Sequence, residues 1–445
     1  GQVVEFLPYE GELTAADGPP AGKRSTDIGA SQSGVDHFQT LQRNPTGAWE
    51  GPLASTLGRC FGSTPVTPVN QVSFSGRSPF DAPLPIGFED QLFGTLRSPA
   101  NQNISTTFAW SSLTPDTRSM DEDGVLPALA AGTATFRAPA ADGETATYSL
   151  PIAVATASTT AAYGNHAEFG EPVDADASDD FILRRREFTS SSNRAPNIPN
   201  WVSYNLDATH IAAGQDRCDC FTYDPMLPRE FQRYTTADYT GAGAAAGFGI
   251  DRGHLARSFD RTAGALDNAR TFYFSNIIPQ AADNNQGPWA NFENFLGDLA
   301  QNQNREVYVV TGASGSQGTV KNEGIITIPA SVWKVAVILP RDQGLANVDS
   351  HDDADVIAVI MPNVPGIRNV DWNTYRVPVN AVEALSGYDV LALLPDEVER
   401  AVESGMQEPM SLVDRLVAAG TISAGDGTSL RAKLQAAMAS LARNN

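Results

Sequence analysis

Single hydrophobic cores stop growing at roughly 250–300 residues, and longer chains divide. At 445 residues this chain must divide, into roughly two to four domains by length alone. Shifts in hydropathy period show where. Residues 1–62 carry short β-like runs separated by Gly, Pro and Asp, and "GQVVEFLPYEG" reads as a strand already under way, as if the start were trimmed. Residues 63–85 form a Pro/Ser-rich linker that includes "STPVTPVNQVSFSGRSP". Residues 86–156 alternate with period two through "TTFAWSS", "GVLPALAAGTATFRA" and "ETATYSLPIAVA", the pattern of a β-sandwich that buries Trp110. Residues 163–395 mix strands with helices. Their strand candidates are "FILRRREF", "WVSYNL", "REVYVVTG", "GIITIP", "VWKVAVIL" and "DVIAVIMP". Residues 396–445 are helical by period, with Gly-rich breaks. The fold class expected is multidomain, with all-β sandwich modules, an α+β domain around a central antiparallel sheet, and a short helical tail.

Charge and cysteine usage narrow the setting. With 30 Lys and Arg against 52 Asp and Glu, the formal charge is −22, which on its own argues against a polyanionic partner. Low lysine and a strongly acidic balance suit a secreted or cell-surface protein, and no run of eighteen apolar residues offers a membrane span. Oligomeric state is not legible. The three cysteines, Cys60, Cys218 and Cys220, imply no complete disulfide framework. The "CDC" pair reads as too close for an easy mutual disulfide and too poor in thiols for a metal, leaving buried or reactive thiols. His37, His210 and His351 read as structural or surface residues, and His166 as part of the turn entering the third segment.

One stretch runs against the acidity. "FGIDRGHLARSFDRT", residues 248–262, packs Arg252, Arg257 and Arg261 around His254. Downstream come "SNIIPQAADNNQGPWANFENFLGDL" and a helix predicted to begin near Pro288, with Trp289, Phe292, Phe295, Leu296 and Leu299 on its buried face. Asn285 lies just ahead of that helix and Glu293 on its second turn, so both can point toward a histidine supplied from a preceding strand. Gly253 would let the chain turn so that the histidine projects. The bland alternative is a salt-bridged turn with Asp251 pairing Arg252. The chemical alternative is phosphodiester cleavage. A neutral histidine deprotonates water near its ordinary pKa of about 6.5. A Mg²⁺-type ion needs only one or two protein oxygens, such as that of Asn285. Glu293 can orient the ion's waters, and Arg252 supplies a fork for phosphate.

These strings, together with "PNWVSYNL", "ADYTGAGAAAGFGIDRGH" and "VYVVTG", resemble the DNA/RNA non-specific endonucleases, the Serratia-type branch of the ββα-metal (His-Me finger) nucleases. The resemblance runs from about "YGNHAEFGEP" to "LPDEVE". It implies His254 as general base, Asn285 as metal-binding asparagine, Asn276 as a residue supporting the site, Glu293 as the acid beside the metal's waters and Arg252 as the motif arginine. It further implies Mg²⁺, with Mn²⁺ or Ca²⁺ as substitutes, and DNA and RNA as substrates cut to 5′-phosphates. The family also places a phosphate-binding arginine upstream; here Asp219 stands at that position, with Arg217 two residues earlier on what would be the same strand face. Arg217 is the candidate for the role, with Arg184, Arg185 or Arg186 as alternatives, and Arg257 is a further candidate substrate contact. Residues 1–62 resemble part of a lamin-tail domain and residues 86–156 a bacterial immunoglobulin-like module. These modules suit a bacterial extracellular protein. The rival reading is a nuclease-like surface protein that binds nucleic acid without cutting it.

Overall fold

Runs such as "VYVVTG" and "VWKVAVIL" are apolar at consecutive positions, so a strand built from them needs cover on both faces. The computed structural model describes residues 12–16, 21–31, 39–54, 70–77, 84–139, 145–152, 161–213, 217–350, 352–403 and 407–441. By compactness the chain forms two units, one of residues 1–75, 93–111 and 137–148, the other of residues 76–92, 112–136 and 149–445. The span 86–156 is therefore shared between them. In the first unit Gln39–Arg43 pairs antiparallel with Trp49–Ala54, and Gln71–Ser75 pairs with Phe93–Arg97. Trp110 is only half-buried there, against Phe74 and Phe108. His37 and His351 fall outside the described residues.

The second unit holds nine strands of interest: β1 Phe181–Arg184, β2 Thr189–Asn193, β3 Ile198–Leu206, β4 Ile250–His254, β5 Ile277–Ala281, β6 Arg305–Ser314, β7 Ser331–Pro340, β8 Asp355–Pro362 and β9 Arg376–Val377. Seven of them form one antiparallel sheet in the order β1-β2-β3-β6-β7-β8-β9, while β4 and β5 form a separate hairpin-like pair. The longer helices are α1 Ala290–Asn302, α2 Val379–Ser386, α3 Asp396–Glu403, α4 Gln407–Ala418 and α5 Ala424–Leu441, with shorter ones at Thr236–Tyr239, Ala242–Ala246, Ala265–Arg270 and Ala282–Asn284. No helix among the described residues is long and apolar enough to cross a membrane.

Both faces of the large sheet are covered. On one, Trp201, Tyr308, Val310, Trp333, Val335 and Val337 pack with Val379 and Val382 of α2 and Val398 and Val402 of α3. Alternation sends Lys334 of β7 to the opposite face, where α1 buries Phe292, Leu296, Leu299 and Ala300. Gly312 stands opposite both Trp201 and Trp333. A Cβ there would lie 2.4 Å from the Asn200 carbonyl and 2.5 Å from the Trp333 ring, so only glycine lets Trp333 lie across this position.

Three local expectations need correction. "GIITIP" is not a strand; its only ladder contact among the described residues is the Thr319–Thr327 bridge. "FILRRREF" ends as a strand at Arg184, because Arg185 turns inward to meet the buried Asp224 carboxylate at 3.0 Å. The helical run begins at Ala282, six residues before Pro288. It passes through a five-residue π-turn, Asn285–Trp289, and breaks at Gly287 (φ −115°, ψ −115°) before α1. At Gly287 the Arg368 backbone approaches so closely that a Cβ would sit 2.5 Å from its carbonyl oxygen.

His210 is fully buried, contrary to its surface reading. Its Nδ1 accepts from the Asp207 amide at 3.1 Å, and Nε2 donates to the Ala162 carbonyl, 3.0 Å away. His166 repeats the pattern, accepting from the Asn205 amide and donating to the Arg186 carbonyl. Each ring thus has one acceptor and one donor satisfied, which only the neutral form provides. Burial first, then the nearby Arg261 charge, lowers His166 to about 3 and His210 to about 4. The unfolded chain takes up these two protons as pH falls below about 6.5, and the folded protein does not. This share of stability is complete above about 6.5 and lost as pH falls toward 4. Thermal unfolding midpoints should drop steadily across that window; a flat profile from pH 7 to 5 contradicts the assignment.

Candidate active site

β4 delivers His254, and β5 fixes its register: His254 stands opposite Ile277, Gly253 opposite Ile278 and Asp251 opposite Gln280. Gly253 makes no turn. It sits within the strand, and a Cβ there would meet Gln280 Oε1 at 2.1 Å, so glycine is needed for the crossing glutamine side chain. Asn276, fully buried, staples the chain leaving β4. Its Oδ1 accepts from the Ala256 amide at 2.8 Å, and its Nδ2 donates to the carbonyls of Ala256 and Thr271 at 2.8 and 2.9 Å.

His254 is 8% exposed, with Phe272 edge-on at 4.8 Å and Phe221 at 5.6 Å between ring centroids. Its Nε2 is buried without a hydrogen-bond partner, and its carbonyl accepts from Trp289 Nε1 at 3.4 Å. Burial, then the charges of Arg217 and Arg252, push the imidazole well below the ordinary histidine range. The ring is held neutral and able to accept a proton.

The two arginines flank it. The half-buried Arg252 guanidinium lies 4.0 Å over the Phe221 ring and makes no hydrogen bond or ion pair among the described residues. The alternative of an Asp251–Arg252 turn pair is not what forms. Arg217 donates to Asp219 Oδ1 at 2.6 Å and to Ser258 Oγ at 2.9 Å, with its guanidinium 4.7 Å from the Phe272 ring. Between Arg217 and Phe221, Cys218 and Cys220 are disulfide-bonded, which corrects their reading as free thiols. Asp219 adopts the left-handed region (φ 50°), and the two Cα atoms come to 5.1 Å, inside the range of roughly 4.4–6.8 Å that a disulfide requires.

Asp251 turns to the other side, accepting from Asn285 Nδ2 and Gln286 Nε2, both at 2.8 Å. That arrangement commits the amide nitrogen of Asn285 and leaves its Oδ1 without a protein partner among the described residues. A hard, neutral oxygen of this kind fits a Mg²⁺-type cation. Glu293, expected on the helix's second turn, is buried on the first turn of α1, and its Oε1 accepts from Lys334 Nζ at 2.8 Å. Burial pushes this carboxyl up and the ammonium down, while their attraction pulls both back. A separate cluster of carboxylates, Asp174, Asp179 and Asp180, lies just ahead of β1 with oxygens within 4.8 Å of one another.

The remaining candidates are engaged elsewhere. Arg257 gives Nε and Nη2 to Asp260 at 2.9 and 2.7 Å and Nη1 to Asn294 at 2.7 Å. Arg184 pairs with Glu171 at 2.7 Å on the sheet edge, Arg185 with Asp224, and Arg186 donates to the Ala161 carbonyl. None of the three contacts His254, Arg252 or Asn285. Sequence reasoning passed over Asp251 as a holder of Asn285, and Lys334. The signal for Lys334 was present, since a lysine interrupts the apolar run "VWKVAVIL".

Removing the Arg217 charge takes away one cause of the depressed His254 pKa, so Arg217→Gln should raise it. NMR titration of the ring protons checks this; an unchanged or lower midpoint contradicts the electrostatic account.

Comparison with known proteins places the chain in a family. The family described as DNA/RNA non-specific endonuclease matches residues 165–397. A nuclease of Nostoc sp. is 35% identical over 227 residues, covering 51% of this chain and 78% of that protein. A nuclease of Serratia marcescens is 31% identical over 224 residues, covering 49% and 78%. Nuclease C1 of Cunninghamella echinulata is 34% identical over 193 residues, covering 40% and 72%. The chain belongs to the DNA/RNA non-specific endonuclease family and is an endonuclease hydrolase.

Proposed function

We propose that residues 163–395 hydrolyse phosphodiester bonds of DNA and RNA with little sequence preference, in a secreted, modular protein. One observation carries the reading: a neutral, buried His254 feels two guanidiniums, and one of them, Arg252, makes no hydrogen bond or ion pair among the described residues. An unpaired half-buried cation calls for an anion from outside, and a phosphate suits its fork. His254 takes the proton of the attacking water. Arg252 and Arg217 hold the phosphate, Arg217 by exchanging its exposed contact with Asp219 for the substrate. Asn276 keeps the chain after β4 in place. Asn285 offers its amide oxygen to Mg²⁺, for which Mn²⁺ or Ca²⁺ would substitute, and Glu293 orients the ion's waters. When bound, the ion supplies charge stabilisation at phosphorus. The lamin-tail-like reading of residues 1–62 and the immunoglobulin-like reading of 86–156 are part of this proposal and rest on sequence resemblance.

Plasmid nicking with and without EDTA tests the reading directly. The parent should lose activity in EDTA and recover it with excess Mg²⁺. His254→Ala should lower turnover by ~10²–10⁴, the usual worth of a general base, while leaving nucleic-acid binding near parental. Activity within tenfold of the parent, or full activity in EDTA, refutes the mechanism.

Two salt effects should oppose each other. Screening relieves the repulsion between the −22 chain and a polyanion, and further salt weakens the local phosphate contacts. Cleavage of long DNA at fixed Mg²⁺ should therefore pass through a maximum as NaCl rises. A monotonic fall from the lowest salt shows that global repulsion is immaterial.

A further inference from the structure

Lys334 sits in the middle of β7, one of the inner strands of the large sheet, with no exposure. Its strand neighbours Trp333 and Val335 belong to the apolar core of the other face. Burying an ammonium costs several kcal/mol, and replacing a buried ion pair with well-packed apolar residues is often neutral or stabilising. Stability therefore gives no reason for a lysine here. Its contacts do. Nζ donates to Glu293 Oε1 at 2.8 Å and lies 4.2 Å over the Trp289 ring, and Trp289 in turn holds the His254 carbonyl. Oε2 of Glu293 makes no hydrogen bond among the described residues, so one carboxylate oxygen is committed and the other is left for water.

We infer that Lys334 is a positioning residue for the hydrolytic reaction: by taking Oε1, it fixes which oxygen of Glu293 faces the waters of the bound cation. The inference rests on the proposed role of Glu293 beside Mg²⁺. It makes Lys334 act through Glu293 alone, so the pair should behave as a unit.

Calorimetric titration of the full chain with Mg²⁺, without nucleic acid, tests this alongside kinetics. Lys334→Met should weaken Mg²⁺ binding by ~10–100-fold, as loss of a group that orients a metal's surroundings does, and lower kcat with little change in KM. Lys334→Gln keeps an N–H donor and should recover part of both; it also carries the test if the Met variant does not fold. In a Glu293→Gln background, Lys334→Met should change Mg²⁺ affinity by less than about threefold. A variant that melts earlier but binds Mg²⁺ as the parent does overturns the inference, since that is a purely structural lysine. An equal loss in the Glu293→Gln background overturns it as well, because Lys334 then acts by another route. If the parent itself binds no divalent ion, the metal reading fails and the inference falls with it; if it binds the ion but cuts no DNA, the hydrolytic reading fails at a different step and takes the inference down also.

Discussion

The 2.8 Å contact between Lys334 and Glu293 joins the central sheet to the helix that follows the β4–β5 pair. Both groups are almost completely buried, so breaking the contact from either side would leave an uncompensated charge in the interior, a loss of about 3–5 kcal/mol. The first turn of α1 is thereby tied to β7. From there the order passes outward, since Trp289 beneath the ammonium reaches the His254 carbonyl. Arg257 adds a second tie, bridging Asp260 to Asn294 on the same helix. The β4 strand and the helix are separate elements, and these polar ties act alongside the apolar packing of Phe292, Leu296 and Leu299.

An acidic protein that handles a polyanion is a question of scale. Exposed charges are screened beyond about 8–10 Å at ordinary salt, so the −22 total says little about the charges immediately around His254. Around His254 the local balance is cationic. Arg252 and Arg217 stack on the Phe221 and Phe272 rings, which shield them from water and strengthen their effect on the imidazole. Those arginines suppress protonation of the imidazole.

How much of this could be read from the chain differs residue by residue. The order of His254 on a strand, Asn285 before α1 and Glu293 within it was legible from helical periodicity joined to the resemblance that "DRGH" and the strings after it carry. The apolar strands were legible for the same reason. "GIITIP" misled because β-branched residues mark a strand only when a partner strand runs along them, and among the described residues its only ladder contact is with the short turn at residues 317–320. The helix start was misplaced because proline is favoured at a first helical position, while here a π-turn and the break at Gly287 carry the helix past it. "FILRRREF" hid its turn because nothing local announces that Arg185 must reach Asp224, 39 residues away.

By itself the sequence determined the chemistry available: a DRGH strand, an asparagine, a glutamate and arginines in an order that only a few local structures can accommodate. The tertiary structure alone decided which of those groups are free to act. Arg252 makes no ion pair among the described residues, whereas Arg184, Arg185 and Arg257 are paired. Asp251 holds Asn285, and the positive φ at Asp219 brings Cys218 and Cys220 together. Periodicity and propensity report a residue's own backbone and face, but hydrogen-bond partners and desolvation depend on groups tens of residues away. Arg217 acts on His254 in this way, and Lys334 meets Glu293 from 41 residues away.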